Sequence, residues 1–249
     1  GTHGKTSVSS MSSLIIQQSS LGCNAFLGGI LKNYNSNLII NDKSEWVVAE
    51  ADEFDRSFLY LKPEIALVTW VDADHLDIYS SAEDIKDAFQ QFLGNVKEGG
   101  SVVVKQGIDL KQKGKNINAF SYALDSHKAD FHARNIRLVD NHYVFDIRTP
   151  QGDVRDVHQS IPGITNVENA VAAASVAYIA GATCSEIAQA LSTFKGVQRR
   201  FDIQYENGHR IYIDDYAHHP TEIRASLSAI RQKYNPKRLW CVFEPHQYS

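Results

Sequence analysis

Apolar residues along this chain follow more than one period. In KTSVSSMSSLIIQQ, Val8, Met11, Leu14 and Ile15 fall at helical spacing, and in AEDIKDAFQQFLGNV the residues Ile85, Phe89, Phe92 and Val96 share one face. Three more stretches predict helices. NVENAVAAASVAYIAGA is rich in alanine and stops at Gly181; SEIAQALSTF follows, with Ser185 as its cap; PTEIRASLSAIRQKY opens with Pro220, which suits a first helical turn. Between them lie short unbroken apolar runs. Those in SEWVVAEADEFD and PEIALVTWVDADHLDIY end in acidic residues, as buried parallel strands do when their carboxyl ends face a site; GGSVVVK is another. Strand, helix, strand in this order predicts βαβ units and a parallel sheet.

From about Asn118 the texture changes. ADFHARNIRLVDNHYVFDIRTPQGDVRDVHQSI alternates and carries turn signals at Asp140-Asn141 and Pro150-Gln151-Gly152-Asp153, which predicts antiparallel hairpins. A domain boundary is expected at GVQRRFD, dividing the chain into 1–197 and 198–249. Beyond it, HRIYIDDYAHHPTEI reads as strand, polar turn and helix, and KRLWCVF starts a further strand.

The chain has 249 residues, 43% hydrophobic and 22% charged, with a formal net charge of −4. That balance speaks against a nucleic-acid-coating surface but leaves room for a local basic pocket. Cys23, Cys184 and Cys241 are far apart and form no CxxC pair, as in a cytoplasmic protein with reduced thiols. No run of apolar residues is long enough for a membrane span, and no signal-peptide pattern is visible in these residues, the first of which is not Met.

The candidate chemistry begins at Gly1, in GTHGKTS. Gly4-Lys5-Thr6 matches the second half of a phosphate loop. Glycine lets the backbone wrap an anion, the following helix offers its positive end, Lys5 bridges outer phosphates and Thr6 ligates Mg²⁺. The fold class that follows is α/β: a P-loop-type, mostly parallel sheet with helices on both faces, an antiparallel hairpin subregion, and the start of a second α/β, Rossmann-like domain. The first glycine of the full loop pattern, and the strand that normally carries it, are expected before residue 1; the carboxyl end also reads as cut.

Two acidic strand ends suit a hard cation. Glu50 in EADEFD is the first candidate, and His75 among Asp72, Asp74 and Asp77 is a second metal or phosphoryl contact. The competing reading of Glu50 is a solvated acidic loop, and that of His75 is a surface histidine pairing with neighbouring acids. Arg200, beside Arg199 at the boundary, can reach a terminal phosphate as it transfers; a surface turn is the alternative. Asp214, Asp215, Tyr216, His218 and His219 load one strand-to-helix turn, without zinc-ligand spacing.

Taken in order, GTHGKTS, EADEFDRSF, DADHLDIY, GITNVENA, GVQRRFD, DDYAHHPTEI and FEPHQYS resemble the Mur ligases of bacterial cell-wall synthesis, and the resemblance spans the whole chain. DDYAHHPTE is shared by the alanine-adding enzymes and their muropeptide-recycling relatives, and EPHQYS resembles the alanine-adding form. The resemblance implies a cytoplasmic ATP-dependent ligase with Mg²⁺, here the central ATPase domain and the first part of the third domain. It implies UDP-N-acetylmuramate and L-alanine as substrates, joined through an acyl phosphate. A UDP-binding domain would precede Gly1, and further substrate arginines would follow Ser249.

Residue by residue, it implies that Gly1, Thr2, His3, Gly4, Lys5 and Thr6 hold the ATP phosphates. Thr6, Glu50 and His75 would hold metal. Asn166 and Asn169 would contact adenine, with Thr165 standing where histidine is usual. Arg200 would approach the phosphates, and Asp215, Tyr216 and His218 would line the nucleotide and amino-acid sites. Lys5, His75, Arg200 and His218 are the implied catalytic set. The carbamylated lysine of many family members would fall near Gln90 or Gln91; the alanine-adding branch lacks it too. A ligase that attaches an intact tripeptide to the same sugar, and a non-catalytic nucleotide switch, are the two competing functions.

Overall fold

The computed structural model of the chain describes residues 1–71, 79, 81–111, 116–140 and 142–245. In chain order its elements are α1 (Lys5–Gln18), β1 (Asn24–Leu31), β2 (Ser36–Ile39), β3 (Val47–Ala49), β4 (Ile65–Val68), α2 (Ala82–Gly94), β5 (Ser101–Lys105), β6 (Asn118–Ala123) and β7 (Phe131–Val139). They continue with β8 (His142–Thr149), β9 (Gly152–Gln159), α3 (Ile164–Ala180), α4 (Cys184–Ser192), β10 (Asp202–Asn207), β11 (Arg210–Asp214) and α5 (Pro220–Tyr234).

The largest sheet runs β4-β5-β6-β7-β8-β9. β4 to β7 pair in parallel, while β8 and β9 turn back antiparallel. The expected hairpins are therefore present but are not a separate layer. β7 pairs in parallel with β6 through Tyr122↔Phe131 and antiparallel with β8 through His132↔Arg148, so one strand joins both regimes. A second sheet, β2-β1-β3, combines an antiparallel and a parallel pairing. Its strands β1 and β2 escape the hydrophobic pattern, because Gly28 and Gly29 interrupt the alternation of NAFLGGIL.

Helices cover both faces of the large sheet, and adjacent residues of β5 serve opposite cores. Val103 belongs to the core under α1, α3 and α4; Val102 belongs to the core under α2. The α2 face carries Ile85, Phe89 and Phe92, with the Phe58 ring 5.4 Å from Phe89 and 5.3 Å from Phe92. Burying each such side chain is worth about 1.5–3 kcal/mol. On the other face, α3 is buried almost all round. Ala170, Val171, Ala172, Ala173 and Ala174 are all fully covered, and their small size lets α1 and the sheet approach closely.

The helix ends follow local chemistry. Gly181 closes α3 with φ 111°, as expected. The cap of α4 is Thr183, not Ser185: Thr183 Oγ1 accepts from Glu186 N, and the Glu186 carboxylate accepts from Thr183 N at 2.8 Å. This reciprocal pair starts the helix one residue before Ser185. Those backbone bonds, first from Thr183 and then from Ser20, bring the Glu186 carboxyl to about 2.

β10 and β11 form a two-stranded antiparallel sheet. The strand expected in KRLWCVF is not formed. No described strand lies beside it to complete a ladder, and Trp240 and Val242 are 85% and 99% exposed. Among the described residues no helix is long and apolar enough to cross a membrane.

Candidate active site

The loop before α1 is fixed from behind by β4. Thr2 N donates to Trp70 O at 3.0 Å, and Thr69 Oγ1 donates to the His3 carbonyl. Gly4 has φ 79°, a left-handed conformation that glycine adopts without strain, and a Cβ there would stand 3.0 Å from Asn169 Oδ1. The chain then enters α1 at Lys5, so the first free N–H groups of the helix open onto the cleft beside the loop.

Glu50 follows β3 and lies against both α1 and β1. Its carboxylate accepts from Thr6 Oγ1 at 2.9 Å, from Ser9 Oγ at 3.1 Å and from Gly28 N at 2.9 Å. The approach to β1 is so close that a Cβ at Gly28 would lie 2.6 Å from Glu50 Oε1. Thr6 and Glu50 thus present two hard oxygens side by side at the helix start, of the kind a divalent cation takes beside a phosphate ligand. Among the described residues no cluster of three or more His, Cys, Asp or Glu groups could hold a metal by itself. His75, Asp72, Asp74 and Asp77 lie outside the described residues.

Lys5 does not stand free. Its ammonium donates to Glu53 Oε1 at 2.6 Å and lies 3.7 Å from Asp52 Oδ1. Glu53 is only 1% exposed, and Tyr79 Oη donates to its carbonyl at 2.7 Å. The sequence reading chose Glu50 first among the acids of EADEFD; the fold sends Glu50 to Thr6 and Glu53 to Lys5.

From the other side, the start of α3 supplies Asn166 and Asn169. Asn169 Nδ2 donates to Asn166 Oδ1 at 3.3 Å, and Asn166 Nδ2 donates to Pro162 O at 2.7 Å. The connection after α4 brings Arg200 to the same cleft. Its neighbours Arg199 and Phe201 both have positive φ, 60° and 46°. The Arg199 and Arg200 guanidiniums lie 5.0 and 5.2 Å from the centre of the Tyr216 ring, and Tyr216 N donates to Arg199 O at 2.8 Å. Burial pushes the Asp215 carboxyl up, against the opposing hydrogen bond from Ser226.

One cleft of about 510 Å³, within the size range of small-molecule sites, collects most of these groups. Of the residues singled out from sequence, Thr2, His3, Gly4, Lys5, Thr6, Glu50, Asn166, Asn169, Arg200, Asp215, Tyr216 and His218 line it. Gly1 sits just behind, where a Cβ would meet Thr69 Oγ1. Sequence reasoning gave no role of their own to Gly28, Glu53 and Glu222. Paired glycines in a strand are a signal of close backbone approach and point to Gly28; Glu53 and Glu222 lie inside EADEFD and DDYAHHPTEI, but nothing local names their partners.

Glu222 sits in the first turn of α5, with His3 Nδ1 3.2 Å from its Oε1 and His218 N donating to its Oε2 at 3.3 Å. Burial pushes this carboxyl up, but the His3 hydrogen bond and the charges of His3 and His218 outweigh it and bring it to about 2, from an ordinary 4.5. A carboxyl depressed on folding stabilises the fold fully above about pH 4.5, and that contribution is lost as pH falls toward about 2. With its side chain 21% exposed, the contribution is about 2 kcal/mol after screening. Acid unfolding followed by circular dichroism should therefore be less steep for Glu222→Gln in that window; superimposable acid limbs would refute the assignment.

Residues 1–177 match the family model described as the Mur ligase middle domain, and residues 199–247 match that of the Mur ligase glutamate ligase domain. The UDP-N-acetylmuramate--L-alanine ligase of Phocaeicola vulgatus is 43% identical over 250 residues, covering 100% of this chain and 54% of that protein. The protein of the same name from Flavobacterium psychrophilum is 45% identical over 249 residues, covering 100% of this chain and 54% of its own length. The chain thus spans about half the length of these relatives. The crystal structure of the UDP-N-acetylmuramate-alanine ligase MurC of Thermotoga maritima superposes with a TM-score of 0.78 at 25% identity, over 94% of this chain and 53% of that one.

Proposed function

Since the chain belongs to the Mur ligase family, we propose that it is the nucleotide-binding core of a cytoplasmic ATP-dependent ligase that joins L-alanine to UDP-N-acetylmuramate in peptidoglycan synthesis. We place the division between its central and carboxyl-terminal domains at 197/198. The observation that carries the reading is the convergence of Lys5, Thr6 and Glu50 with Arg200 and the Tyr216–His218 turn on one cleft. The names of the relatives above support the choice of sugar and amino acid.

A carboxylate is a poor electrophile because its charge repels an approaching amine. Transfer of the γ-phosphoryl group of ATP to the sugar's carboxylate makes an acyl phosphate, with ADP leaving. The alanine amine then attacks the acyl carbon, the C–O bond to phosphate breaks, inorganic phosphate departs and the amine loses a proton. In this chain the loop N–H groups and Lys5 would hold the phosphates, Asn166 and Asn169 the adenine, and Arg200 the charge that develops on the transferring group. Thr6 and Glu50, with His75, would hold Mg²⁺, which when bound offsets phosphate charge. Tyr216 and His218 line the cleft and would orient the incoming amine.

The test is phosphate release by the full-length protein. ATP turnover should require both UDP-N-acetylmuramate and L-alanine. Preference for an intact tripeptide over L-alanine would instead assign the recycling reaction, and turnover indifferent to sugar and amine would assign a nucleotide switch.

A further inference from the structure

We propose that Glu222 is a positioning residue: its carboxylate latches the phosphate loop, through His3, to the turn that carries Tyr216 and His218. The inference rests on the nucleotide-site reading above and adds a residue to it. His3 and Glu222 are separated by 219 positions and belong to the segments that match the two different family models. Each carboxylate oxygen faces a different segment. Oε1 lies 3.2 Å from His3 Nδ1; Oε2 accepts from His218 N at 3.3 Å and lies 3.8 Å from His218 Nδ1. The His219 ring, 4.8 Å from that of His3, closes the contact from above.

A carboxylate lining a phosphate cleft repels the ligand unless its charge is occupied. Here it is occupied on both oxygens, and its place in the first turn of α5 sets it at the positive end of that helix. Such a group contributes little to gripping phosphate but fixes a distance. His3 is fastened on its other side by Thr69, and Gly4 next to it sets the entry to α1. The loop that positions the triphosphate and the turn that faces the amine are therefore tied to one side chain. Breaking either tie leaves both halves intact but out of register, which lowers turnover rather than nucleotide affinity.

The experiment compares Glu222→Gln, His3→Asn and the double variant in the full-length protein, reading kcat and the affinity for a fluorescent ADP. A latch predicts that each single change lowers kcat about tenfold, that the double variant falls no further, and that ADP affinity in Glu222→Gln stays within about threefold. Multiplying losses, an unchanged kcat in Glu222→Gln, or a loss confined to ADP affinity would overturn it. Should His3→Asn fail to fold, Glu222→Gln alone still decides through kcat and ADP affinity. If the wild type shows no sugar- and amine-dependent turnover, the functional reading fails by itself. The contact is then read from the ¹⁵N ring resonances of His3, which must shift in Glu222→Gln; unmoved resonances end the proposal.

Discussion

Lys5→Met in the full-length protein is expected to lower sugar- and alanine-dependent ATP turnover by about 10³-fold, the usual cost of removing one charged donor from a transferring group. The same change is also expected to destabilise the fold by about 3 kcal/mol, because it removes the ammonium 2.6 Å from Glu53, a carboxylate only 1% exposed. The two effects have separate causes and come apart in a second variant. Lys5→Met with Glu53→Gln replaces the buried ion pair by neutral groups of similar size. It should recover most of the stability in urea unfolding while turnover stays at the Lys5→Met level. Recovery of turnover along with stability would mean that Lys5 serves the fold alone.

Gly28→Ala is expected to have the next largest effect, about 10²-fold on kcat, with only about 1 kcal/mol on stability. The new Cβ would fall within 2.7 Å of the Glu50 carboxylate. The obstacle is the free end of a side chain, so the carboxylate swings aside and the backbone stays. That motion takes Glu50 away from Thr6 Oγ1, now at 2.9 Å, and from Gly28 N. One of the three groups proposed to hold the cation is thereby displaced, and a higher Mg²⁺ concentration should be needed for half-maximal turnover. Titration of Mg²⁺ against phosphate release measures this. A variant within twofold of wild type at every Mg²⁺ concentration would show that the carboxylate need not be where it is.

Much of this architecture is legible before any coordinates. The helices α1, α2, α3 and α5 announce themselves by period and punctuation, because an amphipathic face and a cap are local properties of a dozen residues. The parallel strands β4 and β5 are equally plain, being short apolar runs on either side of a helix. What escaped is what depends on partners distant in sequence. β1 and β2 are pairing decisions taken across a glycine-broken pattern. KRLWCVF has every residue a strand wants and lacks the neighbour that would make it one.

At the site, the loop could be read because its glycine, lysine and threonine are consecutive in GTHGKTS. Lys5 with Glu53, and His3 with Glu222, could not be: EADEFD offers Glu50 first for a cation but does not say which acid turns to the lysine. Charge alone does not sort them; the course of the chain after β3 does.

Arg200 stands between two residues whose backbones carry a side chain in the left-handed region, Arg199 and Phe201. Each such residue costs about 1–2 kcal/mol relative to the right-handed form. The connector between the two segments is therefore a wound spring rather than a slack tether. Any swing of the carboxyl-terminal segment must either carry Arg200 along as a stiff crank or let that torsion unwind.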